Sequence, residues 1–156
     1  MKTPRPTYSL MDEMMASPSE PIRKDLRVHQ LTCMWQGLAA IETSPAPTND
    51  HWRVCSDAVN LMESLVEMNV IEDRSGLLLD AVTALAMAGK RATAGKGLRL
   101  DAPGIRAVRA VLEDYAAVVE AVPARTIIRC HRRTEKRIRE ILAGRGRATD
   151  VEVINL

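Results

Sequence analysis

The chain has three histidines and three cysteines, and each histidine stands close to a cysteine: His29 with Cys33, His51 with Cys55, and His131 beside Cys130. A His-x3-Cys pair shares one helix face, and two such pairs suffice for the N2S2 set of a tetrahedral zinc ion. Helical phasing argues against convergence. His29 and Cys33 fall roughly opposite the stripe Leu31, Met34, Leu38, whereas Cys55 falls within the apolar face of its own helix. The expectation is no metal and no other cofactor, with the cysteines packed as small hydrophobes. His51 is then a helix-end residue and His131 a core-edge one. An odd cysteine count at unpatterned spacings does not resemble a secreted disulfide framework.

The segment GKRATAGKG, from Gly89 to Gly97, superficially resembles a phosphate loop. The G-x4-G-K-[ST] pattern is not met: Lys90 stands five residues before Gly95, and Gly97 follows Lys96. A basic turn is expected there. No G-x-S-x-G or H-E-x-x-H occurs. Glu63 and Glu67 share a helix face, which a polar outer surface explains better than paired acid and base. Nucleophile, base and orienting group cannot be assembled, so the chain is read as a non-enzyme.

Charge asymmetry is the strongest signal. Between Arg125 and Arg147 eight Arg and one Lys face Glu135 and Glu140, a net +7; the remainder carries −5, and together they make the overall +2. At about 100° per residue, Arg125, Arg129, Arg132, Lys136 and Arg139 fall in a sector about 80° wide. Ile127, His131, Thr134, Ile138, Ile141 and Leu142 lie opposite. One side packs and the other forms a cationic ridge. Three readings are open: a solvated outer face, a surface for nucleic-acid phosphates, or one for an acidic protein. No aromatic residues interleave with the arginines, and neither helix-turn-helix nor zinc-finger spacing accompanies them.

The elements that position these residues are all helical. Residues 1–20, rich in Pro and Ser and without helical period, read as a flexible N-terminal arm in which MDEMM can serve as a docking segment. A first helix is predicted from Pro21 to about Thr43, with Leu31, Met34, Trp35, Leu38 and Ile41 as its stripe. SPAPT stops it, Thr48 or Asn49 caps a second helix over about 49–70, and the short connection implies an antiparallel pair. LLLDAVTALAMAGK is apolar nearly all round and predicts a central, buried third helix. Asp101 with Pro103 opens a fourth. Pro123 kinks it or starts a fifth, about Ala124 to Ala143, which ends at Gly144. The expected fold is therefore all-α: about five helices in a largely antiparallel bundle over 21–144, followed by a tail over 145–156.

Composition agrees, with no Phe, two Trp, two Tyr, and Ala, Leu, Val and Met supplying the core. A chain of 156 residues fits one domain. No apolar run of spanning length and no signal-peptide pattern appear, so a cytoplasmic protein without membrane contact is expected. The segments NDHWRVCSDAVNLMESLV and ARTIIRCHRRTEKRIREILAG give the chain, over roughly Leu26 to Val153, a resemblance to small helical accessory proteins of bacterial temperate phages and other mobile elements. The resemblance contains no diagnostic motif. It implies modulation of a host or phage complex by binding it, and supplies no site residues. The functional expectation is a non-enzymatic protein-binding module that self-associates as a homodimer through its Met-rich and Val-rich stripes. The alternative is a nucleic-acid-binding regulator using Arg125, Arg129, Arg132, Arg133, Lys136 and Arg139.

Overall fold

A computed structural model describes residues 6–145, which form six α-helices and no strand. They are α1 (Leu10–Met15), α2 (Lys24–Thr43), α3 (Asn49–Glu67), α4 (Leu78–Thr93), α5 (Ala102–Ala121) and α6 (Ala124–Leu142). Each of the five expected helices has a counterpart, and α1 is additional. The expected tail beyond Arg145 lies outside the described residues.

The helix ends follow from local chemistry. At α3 the Thr48 hydroxyl accepts from the His51 amide, while the Thr48 amide donates to His51 Nδ1 at 3.0 Å. His51 thus completes a capping box in the place where Glu or Gln usually stands. Asp101 caps α5 by accepting from the Gly104 amide at 2.7 Å. Gly144, at φ 72°, takes the left-handed turn that closes α6, where the Arg145 amide reaches the Glu140 carbonyl. Pro123 separates α5 from α6 because it cannot donate into the preceding turn.

The centre of the fold is α3, not α4. α3 packs against α2, α4, α5 and α6, and Cys55, Val59, Leu61 and Leu65 are fully buried on it. α4 packs chiefly on α5 and secondarily on α3, through Ala81, Leu85 and Ala88, and leaves Leu79 76% exposed and Met87 half exposed. Expecting α4 at the centre took a run of apolar residues for a helix buried all round. Its alanines supply close approach on one side only. α4 also continues through Gly89 to Thr93, which shortens the expected loop; the turn itself uses positive φ at Gly95 and Gly97. Trp52 ties α3 to α4 by donating its indole N–H to the Leu85 carbonyl at 2.9 Å. Ser64 and Thr134 share a hydroxyl hydrogen bond of 2.6 Å that joins α3 to α6.

Candidate functional site

The cationic face of α6 carries its own occupant. The segment expected as a flexible arm contains α1, which packs on α6 and includes the MDEMM stretch. Ser9 starts it: its hydroxyl accepts from the Asp12 amide at 3.1 Å, and Asp12 accepts from the Ser9 amide at 2.6 Å. One turn on, Glu13 is buried against two arginines. Arg129 Nε donates to its Oε1 at 2.8 Å and Arg132 Nη1 to its Oε2. The hydrogen bond from Arg129, followed by that from Arg132, holds the Glu13 carboxyl below the usual carboxylate range. Arg125 donates from Nε to the Ala16 carbonyl at 3.2 Å and from its terminal nitrogen to the Met14 carbonyl at 3.0 Å.

The chain between α1 and α2 caps α6. Pro123 offers no side-chain cap, so the first free amides of the helix need other acceptors. The Ala124 amide donates to the Glu20 carbonyl at 2.8 Å and the Arg125 amide to the Ser17 carbonyl at 3.0 Å. The Ser17 hydroxyl fixes this turn by accepting from the Glu20 amide. Upstream, the Thr7 amide donates to Glu135, and the ring of Tyr8 lies 5.5 Å from that of His131. Burial lowers the pKa of His131, with Glu135 opposing the shift.

Of the six ridge residues singled out in the sequence, Arg125, Arg129 and Arg132 therefore lie against α1 and its following turn, while Arg133, Lys136 and Arg139 remain exposed. Lys136 stands 3.9 Å from Glu140, and Arg139 reaches its own helix at the Glu135 carbonyl. Glu13 and Tyr8 were missed by sequence reasoning. The Ser9-x-x-Asp12 spacing was the signal that marks a helix start there.

The His/Cys pairs are not brought together. His29 Nε2 lies 3.9 Å from Cys33 Sγ, His51 caps α3, and Cys55 donates to the Met34 carbonyl at 3.7 Å. Among the described residues no group of three His, Cys, Asp or Glu is placed to hold a metal ion. Burial pushes the Cys55 thiol up to about 12 and the Cys130 thiol to about 11. Cys33, only half buried, is expected to react with a disulfide reagent at neutral pH at least about a hundredfold faster than either buried thiol. Three equal phases in a thiol titration of the folded protein would contradict that burial.

No described helix is long and apolar enough to cross a membrane. Compared with known proteins, the chain matches no family model, no curated protein and no solved structure.

Proposed function

We propose that the protein is a non-enzymatic, protein-binding helical module, a largely antiparallel bundle whose α6 ridge meets carboxylates on a partner protein. Its setting, from the resemblance of its sequence, is an accessory role in a phage or mobile-element complex. The observation that carries the reading is Glu13: the ridge is already complementary to a carboxylate on a short helix, gripped by Arg129 and Arg132 together. Arg133, Lys136 and Arg139 continue the same chemistry on the open half of α6.

The nucleic-acid reading draws on the same face, where Arg133, Lys136 and Arg139 are exposed together with the half-exposed Arg129. Four phosphate contacts give a salt slope of about −4, against the roughly six to ten contacts of strongly salt-dependent binders. Such a surface holds a duplex only weakly at physiological salt. The discriminating experiment is fluorescence anisotropy of the full chain with a labelled acidic helical peptide, mixed duplex DNA and single-stranded RNA. The expected result is peptide binding that drops at least about tenfold when Arg133, Lys136 and Arg139 are all replaced by Gln. Nucleic-acid binding that survives physiological salt, without peptide binding, would replace the protein-partner reading.

A further inference from the structure

Helix α1 is inside out. A surface helix ordinarily buries its apolar stripe and turns its charges to water. In α1 the buried residue is Glu13, while Leu10, Met11, Met14 and Met15 stand 57%, 63%, 62% and 79% exposed. A buried charge and an exposed cluster of large apolar side chains are each informative alone, and here one short helix has both. The arrangement is held in place. The Ser9 and Asp12 capping box closes the helix start, and the grip of Arg129 and Arg132 on Glu13 fixes its rotation on α6.

Beneath the apolar face lies a cationic base. Among the described residues Arg125 donates to backbone carbonyls of the α1 segment, and Arg129 and Arg132 share the Glu13 carboxylate, so the three arginines outnumber the two acidic side chains of α1, Asp12 and Glu13, by one charge. Packed helices lie about 8–10 Å apart. An interfacial helix sinks its apolar face about 5–10 Å into the boundary between headgroups and acyl chains. The guanidinium groups of Arg125, Arg129 and Arg132, which reach the α1 segment itself, thus lie within one helix diameter, roughly 10 Å, of the apolar face.

We propose that α1, backed by Arg125, Arg129 and Arg132 of α6, is a docking face for an anionic lipid surface. Attachment of this kind combines two individually weak signals, an apolar anchor and a basic patch, and needs no spanning segment. A second copy of the chain fits the face less well. A six-residue helix is only about 9 Å long, so two such faces fall short of the roughly 1,000 Å² that a specific interface buries. Two-fold pairing through α1 would also bring two cationic bases together. The proposal goes beyond the protein-partner reading, whose test is confined to Arg133, Lys136 and Arg139 on the open half of α6.

The test is co-sedimentation of the full chain with vesicles of phosphatidylcholine alone and of phosphatidylcholine mixed with phosphatidylglycerol, at low and physiological salt. Binding is expected to the anionic vesicles and to weaken with salt. Replacing Leu10, Met11, Met14 and Met15 together by Ser is expected to lower it at least about tenfold. Because those side chains already face water, the Tm and helical dichroism of this variant should stay close to the parent's. The proposal is overturned by no sedimentation with anionic vesicles at low salt, or by a serine variant that binds as the parent does. It is equally overturned if light scattering shows the serine substitutions converting a dimer to a monomer while neither protein binds vesicles, which assigns the face to a second copy.

Discussion

Deleting residues 1–20 is expected to lower the unfolding free energy by about 2–4 kcal/mol, where an unattached arm would cost almost nothing. The Glu20 and Ser17 carbonyls are the acceptors for the first two amides of α6, and Pro123 puts no capping side chain in their place. Loss of a helix cap costs about 1 kcal/mol, and two amides are uncapped here. The Glu13 pair adds about 1 kcal/mol or less, discounted because the Arg129 side chain is 54% exposed. Packing of Tyr8 against His131 supplies the rest. In thermal unfolding followed by circular dichroism this corresponds to a Tm lower by roughly 5–15 °C. An unchanged Tm would mean that the α1 contacts contribute nothing to the folded state.

The penalty should also depend on pH, with a definite sign. The folded pKa of Glu13 is depressed below the ordinary glutamate value of 4.5, so its contribution is complete above that value and is lost as pH falls through the folded one. His131 acts earlier. Burial lowers its pKa from 6.5, so below that pH the unfolded chain takes up a proton that the folded chain resists, and stability falls. The difference between full-length and truncated protein should therefore be flat at neutral pH and narrow in the acid range as Glu13 is protonated, whereas the loss of stability below about 6.5 comes from His131, which both chains retain.

These contacts also explain what could be read in the sequence. Thr48, Asp101, Pro123 and Gly144 mark helix ends through interactions within a few residues, and each acts where its type predicts. The phase of the α6 ridge is likewise local, since it depends only on helical geometry. α1 was not legible by periodicity because six residues are too few to show a period. Its placement depends on Glu13 and Arg129, 116 residues apart, and no spacing rule reaches that far. The same limit misplaced the centre of the fold. Hydropathy made α4 the most apolar helix, but the number of helices packed around α3 decides which one is enclosed. An arginine ridge can thus be phased correctly and still be half covered, because coverage belongs to tertiary structure.

Gly37→Ala is expected to destabilise the protein by about 2 kcal/mol, although alanine favours a helix over glycine by about 1 kcal/mol. Gly37 is where α2 meets α3: a Cβ there would stand 2.4 Å from Val54 Cγ2 and 2.9 Å from the His51 carbonyl oxygen. The valine methyl can be removed, but the carbonyl belongs to the backbone of α3 and moves only if the helices separate. The double variant Gly37→Ala, Val54→Ala should therefore be more stable than the sum of the single changes by about 1 kcal/mol, without reaching the parent. Strict additivity in urea unfolding would show that Val54 does not limit the approach. Separation of α2 from α3 has a second readout. Cys55 donates to the Met34 carbonyl of α2 and owes its raised pKa of about 12 to burial at this contact. If Gly37→Ala pushes the helices apart, the Cys55 thiol should become reactive under folding conditions while Cys130, buried between α3 and α6 beside Met68, stays inert. Exposure of both thiols together would instead report global unfolding.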